Sequence, residues 1–179
     1  MSGAVPAWAH EKAKLHSYNT EWVGLARAES GRLSDLLAPW LVDGVEHVGS
    51  TAVPGLAAKP IVDLMASVRD MDGVVGHCSR DLLAAGWSYV PPELDRRPWR
   101  RFFVKPDAAG KRRVAHLHVI TAGHARWAEQ LAFRDALRRN ERLAQEYEIL
   151  KRRLSEVYGS DREAYTRAKS DFIRTVLRR

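Results

Sequence analysis

A single cysteine, Cys78, occurs in 179 residues, which excludes an internal disulfide framework and a cysteine-based zinc cluster. It falls within an expected helix and reads as a small core residue rather than a nucleophile. No apolar run approaches the roughly eighteen residues of a membrane span, and the first residues lack a basic-then-apolar leader pattern. A cytoplasmic protein without a membrane partner is therefore expected. There is also no internal repeat, low-complexity tract or dividing linker. The length suits a single domain over residues 1–179.

Charge is present in quantity but is unevenly placed. The net charge is +7, yet residues 1–93 carry 7 Lys/Arg against 11 Asp/Glu. Residues 94–113 carry 8 against 2, and residues 134–179 carry 13 against 8. The concentrated basic segment suits a polyanionic partner, either the phosphates of a nucleotide or another phosphorylated small molecule, or RNA. For the C-terminal charges, solvated helix faces are the favoured alternative.

Residues 1–15 read as a loose N-terminal arm. Apolar residues at helical spacing predict a helix from Asn19 to Leu37, ended by Pro39 and weakened by Gly31. Strands are expected over Gly44–Val48, Pro60–Val68 and Trp87–Val90, with a helix over Met71–Ala85 stopped by Gly86. Trp99–Lys105 and Arg112–Ile120 read as an antiparallel pair across the turn PDAAG. Residues 123–179 read as helical. One helix opens with Trp127, Leu131 and Ala132; the next carries a stripe of Leu143, Tyr147, Leu150, Leu154 and Val157. The last carries Tyr165, Ala168, Phe172 and Val176, with Ser160 or Asp161 as its cap. The expected fold is α+β: a mixed sheet of four or five strands packed by helices, with a helical C-terminal third.

Chemistry concentrates in VEHVGSTAVPGLAAKPIVDLM, residues 45–65. Gly49-Ser50-Thr51 forms a turn whose backbone N–H groups and hydroxyls can cradle a phosphate, because glycine lets the main chain approach closely. Asp63 lies within an apolar strand, where a carboxylate is costly unless it is paired or metal-bound. It is either a cation ligand or a structural partner of Lys59 or of an arginine in the basic segment. The layout of turn and carboxylate is that of nucleotidyl transfer, with Asp63 and Ser50 as candidate catalytic residues. A second carboxylate sharing the face of Asp63 is missing, since that position holds Met65.

His116 and His118 share one face of a strand, and with Asp63 they make a candidate divalent-metal set (Mg, Mn or Zn), whose donors suit zinc, iron, nickel or manganese more than magnesium. Hydrogen bonding to neighbouring groups is the alternative. His47 is a possible extension of the cluster. In DRRPWRRFFVK, Arg101 and Lys59 upstream are candidate phosphate partners; Arg97, Arg100 and Lys105 add charge, and the phenylalanines offer surfaces for a base or for the core. Arg134, Asp135 and Lys169 interrupt apolar helix faces, as buried ion pairs or as ligand contacts.

The stretches SYNTEW, EHVGSTAVPGLAAKPIVDL, RRFFVK, HLHV, LAFRDALR and DREAYTRAKSDFI resemble the GrpB family of the nucleotidyltransferase superfamily, in the family's order and over nearly the whole chain. That resemblance implies a nucleotidyltransferase-like sheet with appended helices. Gly49 and Ser50 match the superfamily's glycine-serine phosphate motif, and Asp63 matches the first of its paired carboxylates. His116 and His118 match the family's HLHV block. The implied activity is nucleotidyl transfer from a nucleoside triphosphate to an acceptor, with Met65 departing from the two-metal pattern. The resemblance also allows a non-catalytic accessory module for the coenzyme A pathway, since the family occurs fused to dephospho-coenzyme A kinase; the basic segment and the helices suit a third reading, an RNA-directed role on aminoacyl-tRNA.

Overall fold

Strict alternation along one strand organises the molecule. In β2 (Val62–Val68), Val62, Leu64, Ala66 and Val68 are fully buried on one side, while Asp63 and Met65 point to the other. The computed structural model describes residues 5–11, 14–158 and 162–178, excepting the side chains of 162 and 163.

The order of elements is α1 (Glu21–Leu36), β1 (Leu41–Val48), β2, α2 (Met71–Ala84), β3 (Ser88–Val90), α3 (Pro92–Asp95), β4 (Arg101–Pro106), β5 (Arg113–Thr121), α4 (Ala125–Arg139), α5 (Glu141–Tyr158) and α6 (Arg162–Leu177). The five strands form one mixed sheet in the order β1-β2-β5-β4-β3. Only the central β2–β5 pair is parallel, with Asp63 opposite His116 and Met65 opposite His118. The remaining pairs are antiparallel.

Helices α1 and α2 cover the face of Val62 and Leu64. Trp22, Ala26, Leu33 and Leu37 recur every three to four residues or a multiple, and they pack with Val74, Cys78 and Leu82 of α2 against the strands. Cys78 is thus a core residue, as expected. Asp70 caps α2 by accepting from the Asp72 N–H at 2.9 Å, and Gly86 at φ 89° ends it. The expected start of the first strand at Gly44 is instead a bulge inside it, where glycine at φ 93° shifts the register.

Helices α4 to α6 build a second core with the loop between β1 and β2. Val53 and Leu56 of that loop are buried against Phe133, Leu137, Leu143, Tyr147 and Val176. The stripe on α5 ends at Leu154, because Val157 is 64% exposed. In its place, Lys151 occupies the buried face of α5. The proposed caps Ser160 and Asp161 lie outside the described residues. The N-terminal arm is tied down rather than loose where it is described. Glu11 accepts from the Arg113 backbone N–H at 2.8 Å, and His16 forms a bridge with Ala58. Among the described residues, no helix is long and apolar enough to cross a membrane.

Candidate functional site

The turn after β1 is shaped by the carboxylate it faces. Gly49 adopts φ 73°, and a Cβ there would lie 2.7 Å from Asp63 Oδ2, so only glycine lets the loop close over the aspartate. The following residues, Ser50–Ala52, form a short 3-10 turn. Ser50 accepts a hydrogen bond from Lys151 Nζ at 3.1 Å. Thr51 is 1% exposed and its hydroxyl meets His47 Nε2 at 2.9 Å. Thr51 and His47 therefore fix the loop. His47 opposes Leu64 in the β1–β2 register and does not join the cluster around Asp63.

Asp63, His116 and His118 do come together, with one candidate ligand atom from each lying within 4.8 Å of the others. Asp63 Oδ1 lies 3.0 Å from His116 Nδ1 and 3.4 Å from His118 Nε2. Burial opposes ionisation of Asp63, but the hydrogen bonds from the two imidazoles outweigh it and hold the carboxyl well below the usual carboxylate range. His118 is lowered to about 4, first by burial and then by the Arg100 charge, against the opposing pull of Asp63. Phe102 wedges the pair, with its ring 5.1 Å from the ring of His116 and 5.3 Å from that of His118. It is a support for the imidazoles, and Phe103 is core.

A cavity of about 380 Å³ opens in front of Asp63, lined among others by Ser50, Thr51, Lys59, His116, Lys151 and Lys169. Its size is that of a small-ligand site. Lys151 is 2% exposed and donates to the Ala57 carbonyl as well as to Ser50. Burial, followed by repulsion from Lys169, lowers its pKa to about 7. Lys59 and Lys169 lie over the Tyr165 ring at 5.1 and 4.7 Å from its centroid. Lys59 thus stands at the cavity wall.

Arg101 stands elsewhere. It opposes Val119 and turns to the α2 side of the sheet, where its Nε donates to Asp72 at 2.6 Å. Strand parity sends Arg100 toward the site instead, and sends Lys105 to Glu29 on α1 at 2.8 Å. Arg97 lies 3.8 Å from Asp95. Arg134 bonds Asp135 and Glu46, an ion-pair role that the sequence allowed. The position missed outright is Lys151. Its signal was a lysine four residues after Tyr147 and three before Leu154, on the buried face of a helix.

Met65 is 1% exposed and packs with Val48 and Ile120, flanked by Trp99, Trp127 and Leu131. The second-carboxylate position is walled into apolar side chains. Glu46, opposite Met65 in the β1–β2 register, is held by Arg134 at 2.7 Å and does not substitute. The remaining set fits a magnesium-type cation, which takes one or two carboxylates plus phosphate oxygens and water. It does not fit a histidine-ligated zinc. A ligating imidazole donates its other N–H to an acceptor. Here, among the described residues, His116 Nε2 is buried without a partner, and His118 Nδ1 faces the Arg100 guanidinium.

The sequence profile of the GrpB protein family matches residues 12–179. The chain is 37% identical over 165 residues to UPF0157 protein SCO7215 of Streptomyces coelicolor, covering 92% of this chain and 82% of that protein. It is 31% identical over 165 residues to UPF0157 protein YqkA of Bacillus subtilis, covering 92% of this chain but only 46% of that longer protein. The crystal structure of conserved protein GrpB from Enterococcus faecalis superposes with a TM-score of 0.76 at 29% identity, covering 91% of this chain and 94% of that one. The Cid1 poly(U) polymerase, described with Mg and 3'-dATP bound, superposes with a TM-score of 0.57 at 14% identity, covering 85% of this chain and 49% of that one. The fold is thus nucleotidyltransferase-like.

Proposed function

The chain belongs to the GrpB family, and from that premise we propose that it binds a nucleoside triphosphate in the cavity before Asp63 and transfers its nucleotidyl group to an acceptor. The observation that carries this reading is the juxtaposition of a buried lysine, a serine turn and an ionised aspartate around one opening. Lys151 Nζ and the Ser50 hydroxyl are 3.1 Å apart on one side, and Asp63 lies beneath the same turn. Such transfer needs positioning and charge stabilisation more than covalent chemistry.

In this reading Ser50 and the backbone of the Gly49 turn hold phosphate oxygens, while Lys151, Lys59 and Lys169 balance their charge. A phosphate raises the protonated fraction of Lys151, whose pKa near 7 leaves it poised between forms. Asp63 would hold one divalent cation together with the phosphates, which would neutralise charge on the transferring group. The imidazole N–H groups keep the carboxylate fixed and ionised. Cid1, with its bound Mg and 3'-dATP, supports this reading by its fold alone. The test is incubation of the protein with α-labelled nucleoside triphosphates, magnesium and candidate acceptors, including RNA. Labelled product that is lost in Asp63→Ala supports transfer.

The burial of Met65 favours a second reading, binding without turnover. In that case the same cavity takes a nucleotide or another phosphorylated small molecule as an accessory module. Saturable nucleotide binding with no labelled product under any acceptor selects it.

A further inference from the structure

The least explained contact at the site is that between Arg100 and His118. Asp95, itself 5% exposed in its side chain, grips Arg100 with both oxygens: Nε donates to Oδ2 at 2.9 Å and Nη2 to Oδ1 at 2.5 Å. The third edge of the guanidinium, Nη1, donates to His118 Nδ1. The Phe102 ring lies 3.9 Å beneath the guanidinium carbon and leaves the group little freedom to turn.

Arginine has donors only and does not lose its proton in proteins. His118 Nδ1 must therefore accept, and it carries no hydrogen. The ring's proton then sits on Nε2, which faces Asp63 Oδ1 at 3.4 Å. A cation on that nitrogen would need the proton moved to Nδ1, where it would meet the Arg100 donor head-on. Anchored by the accepting Asp95, the series Arg100, His118, Asp63 is thus a directional chain in which each group donates to the next and which ends on the carboxylate.

We propose that Arg100, anchored by Asp95, is the residue that sets the metal preference of the site. It locks His118 as an N–H donor to Asp63 and so bars zinc-type, histidine-ligated cations. Asp63 is left for a hard cation that arrives with phosphate oxygens, which suits magnesium's reluctance to lose water and its preference for oxygen. Arg100 acts through His118, as a positioning residue. The proposal rests on the reading that Asp63 serves the nucleotide cavity, but its test needs no nucleotide, so either can fail alone.

The test has two arms on the full chain. Long-range ¹H–¹⁵N correlation spectra of the native protein, with His118→Gln for assignment, are expected to show His118 protonated at Nε2. A proton on Nδ1 overturns the proposal. Zinc affinity, measured by competition with a chelating dye, is expected to rise about 10- to 100-fold in Asp95→Asn/Arg100→Met, which removes the guanidinium without leaving a buried lone carboxylate. Adding His118→Ala is expected to abolish the gain, so that binding at other histidines is separated. Native zinc affinity equal to that of the double variant overturns the proposal. If the double variant does not fold, the native tautomer decides alone.

Discussion

Two carboxylates, one on each face of the sheet, are held in different ways. Glu29, on the α1 side, has 3% of its side chain exposed, and its oxygens are taken up by Lys105 at 2.8 Å and Arg32 at 2.7 Å. Asp63, on the other side, keeps 32% of its side chain accessible and meets only imidazoles in its own cluster. Glu29 is closed by Lys105 and Arg32 and, at 3% exposure, has no opening to a ligand. Asp63 is held ionised by two N–H donors and still looks into a cavity. A buried charge becomes chemistry only where its partners leave a side open; elsewhere it is architecture.

The largest effect that separates the faces is expected in Glu29→Ala. Lys105 would be left without its carboxylate, costing about 3–5 kcal/mol of stability. Chemical denaturation should record that loss while nucleotide affinity stays at the native value. Asp63→Asn is the converse: nucleotidyl transfer should fall about 100- to 1,000-fold, while stability at neutral pH falls by less than in Glu29→Ala, because the carboxylate is part-exposed yet its lowered pKa still contributes to folding. Equal damage to stability by both substitutions would erase the distinction between the faces.

Lys151 sharpens the comparison through pH. Its folded pKa of about 7 lies below the ordinary 10.5, so the unfolded chain binds the extra proton between those values and stability rises with pH across that window. The contribution is complete above the unfolded value and is lost as pH falls through about 7. Lys151→Met removes the group, so the native protein is expected to gain on the variant in melting temperature from pH 7 to pH 9. A constant difference between the two melts would contradict the burial assigned to this lysine. The same variant should lose about tenfold in nucleotide affinity by calorimetry, the scale of one hydrogen bond to a charged group. Smallest is Arg101→Ala. Its partner Asp72 is 69% exposed, so stability should change by less than about 1 kcal/mol and nucleotide affinity should not change.

What the sequence showed and what it hid divide along physical lines. Alternation in β2 and β5 made the shared face of His116 and His118, and the isolation of Asp63, readable before any coordinates. The need for glycine at 49 and the helix stop at Gly86 were readable from glycine's backbone freedom, but the sequence pointed Gly49 at a phosphate and did not reveal that it closes over Asp63. Register was not readable. Which of Arg100 and Arg101 faces the site depends on β4 pairing Phe102 with His118, a long-range choice that no local pattern in RRFF specifies. Lys151 was hidden because its partners, Ser50 and Ala57, lie about one hundred residues away in sequence. The expectation for residue 65 needed the fold in another way. Methionine marked a missing ligand, and only the packing of Val48, Ile120 and the tryptophans reveals that the space is filled.

The most direct measurement is calorimetric titration of the native protein and of Lys151→Met and Asp63→Asn with a nucleoside triphosphate, with and without magnesium. The account predicts saturable one-site binding that weakens in Lys151→Met under both conditions, and a magnesium enhancement that Asp63→Asn abolishes. Absence of binding to the native protein, or binding indifferent to both substitutions, would contradict it.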